Sequence, residues 1–373
     1  MDLTFSEEQD ELRKVVRSFL TRHATEADVR RLAADPLGHD PWVWRRMATE
    51  IGLQGLAVPE EYGGSGFGYV DLGVVFEETG RALLCAPYFA TVALAAEALL
   101  RCADESARAD LLPGIAAGET VATLALTEDD GRWDESGVRL DARHTQGGWR
   151  LTGVKTYVPD GHLADLLLVA ARTSSGISLF AVPAADAAGL TRTPLPTLDQ
   201  TRKQARLAFA DTPARLLGDE GTAWPALART LATASVLLAA EQVGGAAAAL
   251  DAAVGYAKIR EQYGRPIGSF QGIKHKCADM LVEIESARSA AYAGLWALDA
   301  GDDTEIALSA ALAQAFCSEA FTKVAGDSVQ VHGGIGFTWE HPAHLYLKRA
   351  KSSEVLLGTP AHHRELLAAR LGI

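Results

Sequence analysis

The sequence predicts an α+β chain whose parts run helical, sheet, helical, over residues 1–119, 120–216 and 217–373. Three observations carry this. Apolar residues recur at helical spacing through the first third. Short β-type runs replace them from Thr120 onward, with Gly147 and Gly148 as a hairpin turn between alternating segments. An alanine-rich run at 224–257 then carries only Arg229, Glu241 and Asp251 as charges, which predicts a helix buried nearly all round.

Ser6 and Gln9 have capping-box spacing, and Leu12, Val15, Val16, Phe19 and Leu20 mark an amphipathic helix behind them. Asp40 before Pro41 starts another helix, with Trp42, Val43, Met47 and Ile51 expected inside and Gly52 ending it. A glycine-rich loop follows at 59–68, then helices near 71–80, 88–102 and 106–112. Strands are expected at 121–126, 149–152, 166–170, 177–182 and 205–209, as a small antiparallel sheet domain ending near Asp211. Helices resume after Leu217. The long helix should stop at Gly264-Arg265-Pro266, since glycine takes the positive φ of a helix end and proline cannot continue the ladder. Ser269 is placed to cap the next helix, with Gln271 in its first turn. This corner gathers Arg260, Gln271 and Tyr263, a set suited to a phosphorylated, aromatic cofactor and equally to plain helix packing.

A chain of 373 residues has room for two or three domains, and 48% hydrophobic with 22% charged residues argues against disorder. A net charge of -13 disfavours nucleic acid as a partner. Cys85, Cys102, Cys277 and Cys317 lack C-x-x-C spacing, which points to reduced cytoplasmic thiols and to neither a disulfide framework nor a metal site. The N-terminus lacks a signal-type pattern, and Glu241 interrupts the best apolar run, so no membrane span is expected.

Five strings in register, PEEYGG at 59–64, ALTE at 125–128, LTGVKTY at 151–157, REQYGRPI at 260–267 and VQVHGGIGF at 329–337, make the chain resemble the acyl-CoA dehydrogenase family of flavoproteins along its whole length. The resemblance implies a C-terminal four-helix bundle and FAD, lodged between the sheet domain, the C-terminal helices and a neighbouring subunit. It places Thr127, with the backbone of Leu124 and Leu126, against the flavin ring, and Tyr157 beside the isoalloxazine. Arg260, Gln262, Tyr263 and Gln271 match residues that reach the pyrophosphate and adenine of the neighbour's FAD. Gln330, Gly333 and Gly334 match a close-approach glycine turn, and Thr359 a C-terminal contact. Taken singly, Tyr157 also suits a sheet core, Thr127 a helix cap and the glycine pair a simple turn.

The family's reaction removes a proton next to a thioester carbonyl and passes hydride from the next carbon to the flavin. A carboxylate is needed for the first step. In relatives it precedes a Gly-Thr pair; here that position is Leu357. The alternative family position, on the helix after the sheet domain, is Ala234, followed by Ser235 where many relatives have arginine. Glu241 and Glu354 are the nearest acids, and their simpler reading is a satisfied buried carboxylate and an ion-paired helix position. Asp160 and His162 read as loop-surface groups, and His332 as a packed histidine or a donor to the cofactor. Trp133 and Pro159 depart from the family's serine and threonine, and proline has no N–H to offer the flavin.

The resemblance thus implies an acyl-thioester dehydrogenase, acting on a coenzyme A or carrier-protein substrate, as a homodimer, homotetramer or hetero-oligomer with a related subunit. A flavoprotein or oxygen would accept the electrons. Its alternatives are a non-catalytic FAD-binding subunit of a mixed oligomer, a flavoenzyme whose substrate forms its carbanion by decarboxylation, or a scaffold that lost redox chemistry.

Overall fold

The computed structural model describes residues 5–185 and 187–373. The chain divides into two compact units: Met1–Arg31, Tyr69–Leu84 and Ser235–Ile373 form one, and Leu32–Gly68 with Cys85–Ala234 the other.

Local chemistry sets the helical opening. Ser6 Oγ accepts from the Gln9 N–H at 3.2 Å while Gln9 Oε1 accepts from the Ser6 N–H at 3.0 Å, closing the capping box of α1 (Glu7–His23). Helix α2 spans Glu26–Ala34. Asp40 caps α3 (Pro41–Ile51), and Gly52 ends it at φ 72°. Trp42, expected inside, is 56% exposed beneath the Arg46 guanidinium. Trp44 turns inward instead, because its Nε1–H reaches the Gly118 carbonyl at 3.0 Å. Next come α4 (Tyr69–Arg81), a π-helical run at Phe89–Ala96 leading into α5 (Glu97–Arg101), and α6 (Glu105–Ala116).

The sheet has seven strands: β1 (Ala122–Ala125), β2 (Asp141–Thr145), β3 (Gly148–Pro159), β4 (Leu166–Thr173), β5 (Gly176–Pro183), β6 (Leu190–Pro194) and β7 (Gln204–Leu217). Pairings run β4–β2–β3–β7–β5 and back to β4, so the sheet closes on itself, with β6 beside β7 and β1 beside β4. It is not wholly antiparallel. β1 lies parallel to β4, as does β2 through its single pairing of Asp141 with Arg172, which the intervening β2–β3 hairpin permits as a crossover. β2 and β6 are mostly exposed and polar, so their sequences show no alternation. β7 continues past Asp211 to Leu217.

The rest is helical apart from one small hairpin: α7 (Trp224–Ile259), β8 (Glu261–Gln262), β9 (Arg265–Pro266), α8 (Gln271–Ala300), α9 (Asp303–His332), α10 (Ala343–Ser353) and α11 (Pro360–Leu371). Ser269 does not cap α8. It sits in a tight turn at Ile267–Ser269, and Phe270 takes the cap position without a side-chain bond. α7 is long and apolar enough to cross a membrane, but 78% of its most apolar window is buried inside the protein. The arrangement is the expected α+β class, with helical, β and helical parts in sequence order.

Within the unit that holds α1, α4 and α8, an ion cluster ties these helices together. Glu77 Oε2 accepts from Arg13 Nη1 at 2.8 Å and from the Tyr292 hydroxyl at 2.6 Å, and Glu77 Oε1 from Arg288. Glu78 takes Arg17 through two N–H groups, at 2.7 and 2.8 Å. Burial pushes the Glu77 carboxyl up, yet Arg288 and Arg13 outweigh it and hold it below its ordinary value of 4.5. A depressed folded-state value means the stabilisation is complete above that ordinary value and is lost as pH falls through the folded one. Glu77→Gln is therefore expected to lower stability at pH 7 by about 3 kcal/mol. It should also shrink the stability difference from wild type below about pH 4, as read from urea unfolding at several pH values; an unchanged difference at low pH would contradict the pairing.

Candidate functional site

The first group of site residues lies on the sheet. Val121 faces β4, its carbonyl accepting from the Asp165 and Leu166 N–H groups at 2.8 and 3.1 Å. Ala122 faces the other way, exchanging both backbone bonds with the Thr91 hydroxyl. Alternation then turns the backbone of Leu124 and Leu126 to that same side, away from the pairing strand. Thr127 is tied to β3, since its Oγ1 donates to the Thr156 carbonyl at 2.6 Å while its own carbonyl accepts from the Thr156 N–H at 2.9 Å. The β3–β7 register slips between Lys155 and Val158, and in that bulge Tyr157 adopts φ 59° with 41% of its surface exposed. Leu124, Leu126, Thr127 and Tyr157 are thus brought together: backbone groups turned off a sheet edge beside an outward aromatic.

The flanking groups are closed in. The Pro159 carbonyl accepts from Thr123 Oγ1 at 2.7 Å. Asp160 is buried with φ 52°, its N–H donating to the Lys203 carbonyl, so it is no surface group. His162 is half-buried, its Nε2 donating to the Leu37 carbonyl at 3.1 Å; burial, foremost, pushes the imidazole below its usual range.

The second group is the corner between α7 and α8. Tyr263 and Gly264 both take left-handed φ, 53° and 73°, which makes them a two-residue type I′ turn joining β8 to β9. The Arg260 carbonyl accepts from the Ile267 N–H at 2.7 Å and closes the base of this hairpin. Arg260, Gln262, Tyr263 and Gln271 are all exposed on it, and Gln271 Nε2 lies 3.3 Å from His275 Nε2.

The glycine turn ends α9. Gly333 has φ 63° and ψ -141°, a conformation closed to residues with a side chain, and its N–H returns to the Gln330 and Val329 carbonyls. A Cβ on Gly333 or Gly334 would meet nothing within 4 Å, so the backbone there is open to an approaching group. His332 is packed beneath, its Nδ1 donating to the Ser328 carbonyl at 2.7 Å and its ring 4.7 Å from that of Tyr256 on α7. The corner and the glycine turn therefore flank one end of α7.

Leu357 lies beside the middle of α7, linked through Gln314 to Gln242. It is 3% exposed and left-handed at φ 65°. Buried side chains hold its turn: Gln314 Nε2 donates to the Ser353 and Leu356 carbonyls at 3.3 and 3.2 Å, and Gln242 Nε2 donates to Gln314 Oε1 at 3.0 Å. His363 Nε2 donates to the Leu357 carbonyl at 3.1 Å, and burial, with His362 nearby, pushes that imidazole down to about 4. Thr359 caps α11 by accepting from the His362 N–H. Glu241 is ion-paired with Arg349 at 2.8 Å, both buried, and Glu354 pairs with Lys351 near the surface. Ala234 and Ser235 are buried.

Sequence patterns had not singled out Gln242, Gln314 or His363, nor a role for Lys155. Only Lys155 left a trace, as a lysine within an otherwise strand-like run. Among the described residues no group of histidines, cysteines and acids could hold a metal ion.

Three family descriptions match the chain: "Acyl-CoA dehydrogenase, N-terminal domain" at residues 6–119, "middle domain" at 123–212 and "C-terminal domain" at 221–372. "Acyl-CoA dehydrogenase IpdE2" of Mycolicibacterium smegmatis is 35% identical, covering 98% of this chain and 99% of its own. Among solved structures, a variant of the "Tcur3481-Tcur3483 steroid ACAD" superposes with a TM-score of 0.88 at 34% identity, over 98% of both chains. The "ChsE4-ChsE5 complex from Mycobacterium tuberculosis" superposes with a TM-score of 0.90 at 30% identity, over 100% of this chain and 99% of that one.

Gln314→Leu should cost about 2 kcal/mol through two buried carbonyls left without donors. It should also speed amide exchange at Gly358 and Leu357 relative to the rest of the chain. Unchanged exchange there would show that Gln314 does not hold the turn.

Proposed function

This chain belongs to the acyl-CoA dehydrogenase family of FAD-dependent oxidoreductases, and from that premise we propose that it is the FAD-binding, base-free subunit of a mixed oligomer that oxidises an acyl thioester. The single observation behind this is Leu357: a buried hydrocarbon, held in a rigid turn at the family's base position. Neither neighbouring acid replaces it. Glu241 is committed to Arg349 inside the protein, and Glu354 to Lys351 near its surface.

When bound, FAD supplies the acceptor for the hydride leaving the β-carbon. The chain's part is to bind and orient it. Leu124 and Leu126 offer backbone groups at the sheet edge, and Tyr157 a flat wall. Gly333 and Gly334 permit close backbone approach, and Arg260, with Gln262, Tyr263 and Gln271, presents a guanidinium and amides suited to phosphate and adenine. The α-proton goes to a carboxylate on a related chain, since Leu357 can exclude water but not hold a proton.

The geometry of α7 supports sharing between subunits. Gln242, which secures the Leu357 turn through Gln314, stands 17 residues from the helix end at Ile259, about 25 Å at 1.5 Å per residue. One helix therefore carries its corner far from the base position, as expected if the corner serves the neighbour's cofactor. The paired names of two structural neighbours, Tcur3481-Tcur3483 and ChsE4-ChsE5, support a mixed assembly, and the steroid label of the first supports a bulky acyl group. Four free cysteines suit a cytoplasmic setting.

The test is anaerobic bleaching of bound FAD by an acyl thioester. The chain alone should keep its yellow colour, while a complex with a glutamate-bearing related chain should bleach; bleaching by the homogeneous chain would overturn the assignment. Arg260→Ala should weaken FAD retention roughly ten- to a hundredfold, the worth of one charge-assisted contact. Undiminished flavin content would remove Arg260 from the site.

A further inference from the structure

Lys155 is the one lysine with no solvent-accessible side-chain surface among the ion pairs of the described residues, and neither the cofactor contacts nor the proton transfer above uses it. It sits on β3, between Thr156, which is tied to Thr127, and the end of β1. Its Nζ donates to the Leu126 carbonyl at 2.8 Å and to Glu128 Oε1 at 2.9 Å. The same Glu128 oxygen accepts from the Arg139 and Leu140 N–H groups at 2.7 and 2.8 Å, so the carboxylate is fixed by backbone on its far side. A buried ammonium is thus clamped against the carbonyl that lies on the side of β1 facing away from β4.

We propose that Lys155 is a positioning residue for the flavin-facing end of β1, fixing the Leu126 backbone, and that its protonation is coupled to the charge carried by bound FAD. The proposal rests on the reading that Leu124, Leu126 and Thr127 border the flavin.

Two physical arguments support it. A full charge buried in a low-dielectric wall acts on a nearby electron acceptor far more strongly than a solvated one, and a positive charge favours the electron-rich form. The coupling must also be reciprocal: if the ammonium favours an electron-rich neighbour, that neighbour favours the ammonium. The groups facing Lys155 leave it able to titrate. Burial pushes it down, Glu128 and then Asp130 pull it back up, Arg172 lowers it again, and the balance is about 8. Electron transfer to the flavin should therefore draw a proton onto Lys155 in the pH range just above that value.

The experiment is a potentiometric titration of the FAD-loaded protein, complexed with any chain that co-purifies, from about pH 6.5 to 9.5, the span that brackets a buried lysine of this kind. Wild type should show a flavin midpoint potential that falls more steeply with pH just above 8 than below it. Lys155→Arg, always charged, should lose that steeper segment, and Lys155→Met should lose it and lie at lower potential at pH 7. Glu128→Gln, which removes the counter-charge, should move the segment to lower pH and raise the potential on its acid side, where the ammonium persists. A wild-type curve without the segment overturns the proposal even if no variant folds, and so does a Lys155→Met protein that superposes on wild type. Tyr157→Ala, which removes the flat face, separates the two ideas in the same preparation. An unaltered flavin spectrum and fluorescence there would remove the wall itself, whereas an altered spectrum with a featureless potential curve removes only the role of Lys155.

Discussion

The close contact between α4 and α7 constrains much of the helical unit. It is reciprocal: a Cβ on Gly80 would lie 1.9 Å from the Glu241 carbonyl, and one on Gly244 would lie 1.8 Å from the Glu77 carbonyl. Backbone meets backbone at two points three residues apart on each helix, so neither glycine can carry even a methyl group without separating the pair. With the helices at that distance, Glu77 faces Arg13, Arg288 and Tyr292, while one residue beyond Glu241 the Gln242 carboxamide reaches Gln314. An alanine-rich helix suits this contact because small side chains let several neighbours approach at once. The cost is that its buried acid, Glu241, must find a partner inside the protein, and Arg349 supplies it.

Left-handed backbone marks the candidate site. Six non-glycine residues among those described have positive φ, and Tyr157, Tyr263 and Leu357 are three of them. Each such conformation costs of order 1–3 kcal/mol and persists only where surroundings impose it. At Tyr157 the imposing element is the bulge in β3, at Tyr263 the type I′ turn, and at Leu357 the donors from Gln314 and His363. All three residues were picked out by resemblance in chemistry and position; their shared backbone state is independent of it. Asp160, a fourth, follows Tyr157 by three residues, just past the end of β3.

What the sequence made legible was local. The Ser6–Gln9 box, the Asp40-Pro41 start and the Gly52 stop each depend on neighbours within a few residues, and all three formed. Trp42 and Trp44 could not be told apart because the deciding partner, the Gly118 carbonyl, lies 74 residues away. β2 and β6 escaped notice because exposed strands carry no alternating pattern, and the parallel β1–β4 pairing because register between distant strands leaves no local mark. The polar positions that matter most for the site, Lys155, Gln242, Gln314 and His363, are buried and bonded to groups from 6 to 72 residues away, so their residue types alone say nothing of their roles.

A leucine at position 357 is coherent with its surroundings. A carboxylate at a site 3% exposed would need donors to offset several kcal/mol of desolvation. Those at hand are spent: the Gln314 amide on the Ser353 and Leu356 carbonyls, and the His363 N–H on the Leu357 carbonyl. Arg349, the buried guanidinium of α10, already serves Glu241 and the Leu84 carbonyl. A second buried acid would have to share that one cation, at the expense of the ion pair that lets α7 carry Glu241 inside. The hydrocarbon avoids this competition and preserves the shape of the turn. A leucine there keeps the hydrogen bonds of the turn and the Glu241–Arg349 pair together, with no further buried charge to neutralise.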